Sequence, residues 1–246
     1  IDGRGEIEIT ITPPAKTAGR RNALTETHMA AARPILHNYF RSSPSYRVRI
    51  AMALKGIAYD YRAYHLRKGE QRSAAFLSKN VQGLVPALEW TDGKIYTQSL
   101  AIIEMLDELV PEPALLPKDI PSRARVRSLA QMIACDIHPI NNLRVLAELK
   151  SRFGADEAAL AGWFRHWVNE TFAPLEARLA LDPETGRFCH GDAPTLADLS
   201  LVAQVVNNAR FNVDMVPYPT ITRIYDACMN LSAFQVAAPQ NQPDAE

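Results

Sequence analysis

The chain has 246 residues, with 27 basic and 27 acidic side chains and 47 % hydrophobic residues. That balance offers no nucleic-acid face and no polybasic membrane patch, and no apolar run approaches the roughly 20 residues that cross a bilayer. Cys135, Cys189 and Cys228 are scattered, with no CxxC pair and no metal-ligand spacing, which argues for a reducing compartment and against a disulfide scaffold or structural zinc.

Residues 1–33 are rich in Thr, Arg, Gly and Ala and lack helical periodicity. They also lack the continuous apolar core of a secretory signal. Met29 precedes the first convincing strand by a few residues and reads as the natural start, with residues 1–28 as an extension. A transit peptide is the weaker reading, because Glu6, Glu8 and Glu26 are acidic.

From Pro34 to about Glu112, strand and helix patterns alternate. Ile35–Phe40 reads as a strand and Ser45–Lys55 as a helix with Val48, Met52 and Leu54 inward, ended by Gly56 as a C′ glycine. Tyr59–Tyr64 alternates as a strand. Residues 69–80 read as a polar loop with a short helix at Ala74–Leu77. Val85–Trp90 and Lys94–Thr97 form a hairpin through Asp92-Gly93, a dipeptide suited to tight turns. Ser99 then opens a helix carrying Leu100, Ile102, Ile103, Leu106 and Leu109. The order β-α-β-α-β-β-α predicts a mixed sheet with helices on its faces.

Residues 113–120 read as a Pro-rich packed linker. Beyond them the chain is helical. Val126, Leu129, Ile133 and Ile137 make one stripe, and a long second helix over about Glu157–Leu179 turns Leu160, Trp163, Phe164, Trp167, Phe172 and Leu175 to the core. Thr195-Leu196-Ala197-Asp198 is a capping box. A final helix spans about Thr220–Leu231, and the tail Pro239–Glu246 is expected to be lightly held.

Three positions carry chemistry. Arg41-Ser42-Ser43 lies at the start of a helix whose unpaired N–H groups and partial positive charge favour an anion. Two hydroxyls there suit a thiolate, carboxylate or phosphate. Pro44 fits the first helical position after a Ser43 N-cap. On this segment alone, ordinary capping is the competing reading. Val85-Pro86 sits at a strand start, where a cis bond would present the Val85 main chain to an extended peptide. Gln98-Ser99 opens a further helix, with Ser99 as its cap and room for a carboxylate on its N-terminus.

Together these segments resemble the soluble glutathione transferases, and most closely the zeta class, the maleylacetoacetate and maleylpyruvate isomerases. The resemblance runs from about Pro34 to Asp244. Its most specific stretches are residues 39–51, 84–88 and 98–104, with Ile137–Leu146 and Ala209–Asp214 in the helical half. It implies an α/β thioredoxin-like N-terminal domain at residues 34–112, a linker at 113–120 and an all-α domain at 121–246. It implies glutathione as cofactor, a homodimer and a cytoplasmic enzyme. Ser42 and Ser43 fall on the residues that contact the glutathione sulfur. Gln71 and Val85 fall on positions holding the glutathione backbone, and Gln98 and Ser99 on the pair that takes its γ-glutamyl end. His138 and Asn142 line the pocket from the helical half. Arg41 and Arg210 match arginines that clamp the substrate's carboxylates, with Arg144 a third candidate; read without the resemblance, Arg144 and Arg210 are surface ion-pairing residues.

The implied reaction is glutathione-dependent cis–trans isomerisation of maleylacetoacetate to fumarylacetoacetate, in tyrosine and homogentisate breakdown. Thiolate adds to the conjugated double bond, the resulting single bond rotates, and elimination restores the thiol. The alternatives are maleylpyruvate isomerisation in gentisate breakdown and glutathione transfer to α-halo acids. A binding module without activity is disfavoured by the presence of Ser42, Ser43, Gln98 and Arg210. Many zeta-class members carry cysteine where this chain has Pro44, so the reacting sulfur must belong to glutathione. No metal is called for.

Overall fold

The computed structural model describes residues 33–246. The Met29 start and the extension at residues 1–28 lie outside the described residues. Four strands form one sheet: β1 (Ile35–Asn38), β2 (Asp60–Ala63), β3 (Ala87–Glu89) and β4 (Ile95–Thr97), in the order β2-β1-β3-β4. β1 runs parallel to β2, with Ile35 opposite Asp60, and antiparallel to β3, with His37 opposite Ala87. β3 and β4 pair antiparallel across the Asp92-Gly93 turn, where Gly93 takes φ 78°. The parallel pair needs a crossover, and α1 (Ser43–Leu54) supplies it. The short α2 (Ala74–Leu77) and α3 (Ser99–Leu109) complete the expected β-α-β-α-β-β-α order. Two 3₁₀ turns precede α2: Leu66–Lys68 lies just before the stretch read as polar loop and Glu70–Arg72 lies within it.

Two helix starts differ from the sequence reading. Ser42, not Ser43, caps α1: its backbone is extended (φ −71°, ψ 114°) and its Oγ accepts from the Ser45 N–H at 3.2 Å. Ser43 is the first helical residue and Pro44 the second. A missing N–H costs as little at the second position as at the first, because all four leading donors lack helical partners. At α3 the cap position is Gln98, at φ 68° and with no side-chain cap bond, while Ser99 is the first helical residue.

The remainder is helical: α4 (Ile120–Gln131), α5 (Leu143–Phe153), α6 (Glu157–Leu181), α7 (Leu196–Asn208), α8 (Pro219–Met229) and α9 (Ser232–Val236). α4 continues into a π-helical turn, Met132–Ile137. The stripe Val126, Leu129, Ile133 and Ile137 is buried throughout. The sequence reading missed α5, so the long helix α6 is not the second of this half. No residue of α5 is fully buried, and Leu143 and Phe153 remain exposed. On α6, Leu160, Phe164, Phe172 and Leu175 are buried, while Trp163 and Trp167 are half-buried. The Thr195–Asp198 capping box forms as expected.

The lightly held tail is corrected as well. Asp244 accepts from the Phe40 N–H at 3.1 Å and from the Tyr61 hydroxyl, and Glu246 meets His65 at 2.6 Å. Buried Arg49 ties the same region together: Nε donates to the Ala237 carbonyl at 2.9 Å, Nη1 to Asn38 Oδ1 at 3.0 Å and Nη2 to the Phe40 carbonyl at 2.9 Å. Sheet and helices share one apolar core, in which Leu36, Val48 and Ile103 join Val126, Phe164 and Leu199. That continuity fixes the N-terminus of α1 against the helical half.

Candidate functional site

The turn after β1 delivers Arg41, Ser42 and Ser43 to the meeting point of two cavities, of about 520 and 290 Å³. Ser42 and Ser43 are buried at 9 % and 6 % exposure. With Ser42 Oγ engaged by the Ser45 N–H, its proton is still free to donate. Ser43 makes no side-chain hydrogen bond among the described residues, so its hydroxyl and its own N–H are unspent beside the cavity, whereas the Ser42 and Ser45 N–H groups are engaged and Pro44 has none.

The larger cavity collects Arg41, Gln71, Val85, His138, Asn142, Arg144 and Arg210 as well as both serines. A third cavity, of about 240 Å³, holds Gln98 and Ser99 and shares Val85, His138, Asn142 and Arg144 with the first. Every residue singled out from the sequence therefore lines one continuous set of three adjoining cavities.

Local structure explains how each arrives. The Val85–Pro86 bond is cis, and the β3 ladder begins only at Ala87, leaving the Val85 main chain outside it. Gly83, at φ 61°, lets this turn approach the 71–72 segment; a Cβ on it would lie 3.1 Å from the Gln71 carbonyl oxygen and 2.8 Å from Arg72 Nη1. Gln71 donates to the Leu66 carbonyl at 3.4 Å, while its Oε1 is buried without a partner. In the π turn His138 N–H reaches back five residues to the Ile133 carbonyl. The wider turn shifts the angular phase of the residues after it, and His138 and Asn142 reach the cavity. Asn142 caps α5 and approaches His138 Nε2 at 3.4 Å.

Electrostatics favour an anion. Among the described residues, five arginines line the first cavity and no acidic residue does: Arg41, Arg67, Arg72, Arg144 and Arg210. Burial, then Arg41 and Arg67, bring the Arg210 pKa down to about 10, so it stays charged at neutral pH. Arg41 and Arg210 each lie over the ring of a chain neighbour, Phe40 at 5.7 Å and Phe211 at 5.6 Å. Burial, then Arg47 and Arg144, hold His138 neutral by lowering its pKa to about 3.

Sequence reasoning missed Arg47. It is 1 % exposed; its Nη1 lies 3.4 Å from Ser99 Oγ, while Nε and Nη2 have no partner among the described residues. Burial brings its pKa down to about 10. An unpaired buried guanidinium is costly unless an anion meets it, and Arg47 lines the same cavity as Gln98. Tyr39, Arg67 and the tail residues Pro239 and Glu246 also line the cavities without any signal in their own segments.

Residues 41–109 match the family model for the glutathione S-transferase N-terminal domain. The chain is 52 % identical to a maleylpyruvate isomerase of Ralstonia over 210 residues, 85 % of this chain and 99 % of the relative. The holo structure of a maleylpyruvate isomerase, a bacterial zeta-class glutathione transferase, superposes with a TM-score of 0.84 at 51 % identity, covering 86 % of this chain and all of that one. A maleylacetoacetate isomerase from Methylobacterium extorquens AM1, solved with malonate and glutathione bound, gives 0.84 at 41 % identity over 86 % and 99 % of the two chains. The chain belongs to the zeta-class glutathione transferases, the family of the maleylacetoacetate and maleylpyruvate isomerases.

Proposed function

We propose that the protein isomerises maleylacetoacetate to fumarylacetoacetate with glutathione, in the breakdown of tyrosine through homogentisate. One observation carries the reading: a serine-bearing helix N-terminus opens into a cavity lined by five arginines and no acid. The second reading, isomerisation of maleylpyruvate, is favoured by the 52 % identity to the Ralstonia relative of that name.

The residues present fit glutathione. The partnerless Gln71 Oε1 and the free Val85 main chain suit an extended peptide. The orphaned Arg47 beside Ser99 suits the carboxylate of a γ-glutamyl group on the α3 N-terminus. Bound there, glutathione supplies a thiol whose reversible addition to a cis double bond permits rotation about it. Ser43 donates its hydroxyl and N–H toward the anion, and the α1 dipole favours the charged form. Ser42 keeps the turn in shape, and its hydroxyl can still donate one hydrogen bond. Arg41 and Arg210 hold acid groups of the substrate and stabilise negative charge that spreads onto its carbonyl oxygen. His138, neutral at working pH, offers a hydrogen bond without adding charge.

Within this reading, residues 34–112 are the glutathione-binding domain, 113–120 the linker and 121–246 the helical domain. The working form is a cytoplasmic homodimer, a state light scattering would test. Steady-state assays with each maleyl keto acid and glutathione test the function. Turnover of at least one is expected; no turnover of either overturns it.

A further inference from the structure

Resting on the reading above, we propose that Tyr39 and Arg67 form a carboxylate-binding station for the electrophile's acid group remote from its reacting double bond, and that this station makes the enzyme selective for diacids.

Tyr39 is 3 % exposed and lines the cavity that holds Ser42 and Ser43. Its hydroxyl is buried with no hydrogen-bond partner among the described residues. The ring cannot turn away to find water. Phe40 meets it edge-on at 4.8 Å, and the His65 imidazole lies 5.3 Å from it, itself tied to Glu246. A buried donor without an acceptor is rare in native proteins and calls for a reason. Burial raises the phenol's pKa, so the group stays a neutral donor at working pH. Arg41 lies near enough to bias its ionisation but makes no hydrogen bond of good geometry to it.

Arg67 lines the same cavity from the opposite strand connection. Its 3₁₀ turn is held at the start by His65 Nδ1, which accepts from the Lys68 N–H at 3.2 Å, and at the end by Gly69 at φ 76°. Arg67 has no acidic partner among the described residues. Its charge is felt at both Tyr39 and Arg210, so the three groups form one neighbourhood. A hydroxyl and a guanidinium, both lacking an acceptor, are complementary to one carboxylate. The glutamyl-recognition pair Gln98 and Ser99 lines a different cavity. Gln71 and Val85, given above to the glutathione backbone, line the same cavity as Tyr39 and Arg67; the electrophile, whose double bond must lie at the α1 N-terminus, is the partner assigned to the station, and the affinity for glutathione tells it from the glycyl carboxylate.

The test compares the full-length parent with Tyr39→Phe and Arg67→Gln. Tyr39→Phe removes one oxygen and preserves the ring packing. For a maleyl diacid, KM is expected to rise about 10-fold in each variant while kcat stays within about two-fold, one charge-assisted hydrogen bond being lost. Kinetics with chlorodinitrobenzene, which carries no acid, and the Kd of glutathione are expected not to change. Equal losses with the uncharged electrophile, or a matching loss of glutathione affinity, overturn the proposal. If the parent conjugates chlorodinitrobenzene but isomerises neither diacid, the functional reading has failed while the station is still testable. Malonate should then inhibit the parent competitively and inhibit both variants about 10-fold more weakly; equal inhibition overturns the station.

Discussion

Ser42 and Ser43 are adjacent, yet the Ser42 oxygen caps α1 while the Ser43 hydroxyl has no partner among the described residues. Ser42→Ala removes the cap on α1 and should cost about 1 kcal/mol of stability, read as a lower melting temperature. Ser43→Ala should leave melting nearly unchanged and lower kcat/KM by about 10² to 10³, as loss of one preorganised donor does. Titrating the absorbance of bound thiolate separates them, because only Ser43→Ala should raise the thiol's pKa strongly. His138 gives a pH prediction. Its folded pKa lies near 3, below the ordinary value of 6.5, so between these the unfolded chain binds the extra proton. The neutral-His contribution is whole above pH 6.5 and is lost as pH falls toward 3, with a slope approaching about 1.4 kcal/mol per unit. Denaturant midpoints of His138→Asn should therefore fall less steeply with acid than those of the parent. The serines, Val85 and the pair at 98–99 were legible because each sits in a local pattern, whereas Gln71, His138, Asn142 and Arg210 came only through the family resemblance. Tyr39, Arg47 and Arg67 were not, since their meaning lies in partners distant in sequence.

At the scale of elements, the capping box on α7 is the part most dependent on one side chain. Asp198 is fully buried and accepts from the Cys189 N–H at 2.8 Å, the Thr195 N–H at 2.7 Å and Thr195 Oγ1 at 2.8 Å. Asp198→Ala strands three buried donors and should destabilise by at least about 3 kcal/mol, measurable by chemical denaturation; Asp198→Asn, which keeps one of the two acceptor oxygens, should cost less. This box was readable because its two members stand three residues apart. The α1 cap was misread by one residue because proline is tolerated at either of the first two helical positions. Gln98 gave no sign of its left-handed backbone, since glutamine rarely adopts it. α5 was missed because its apolar face is only partly covered: Val145, Leu146 and Leu149 are half-buried, Leu143 and Phe153 are exposed, and none is fully buried.

On the scale of the whole molecule, one core joins sheet and helices, and the tail returns from the far end to brace the turn that carries Arg41. That return was illegible from composition, because Asp244 looks like any acidic residue near a polar terminus and its partners lie 183 and 204 positions away. The alternation of strands and helices, by contrast, was visible throughout residues 34–112. The crowding of five arginines around one cavity has a consequence for handling the protein. Like charges at close range repel, so any small multivalent anion in solution relieves the strain. Phosphate or citrate should raise the melting temperature and, over the same concentration range, compete with the diacid, with stabilisation following RT ln(1 + [L]/Kd). Chloride at equal ionic strength should do neither; if it does both, general screening and not occupancy is responsible. A storage buffer chosen for shelf life would then be, unnoticed, an inhibitor in the assay.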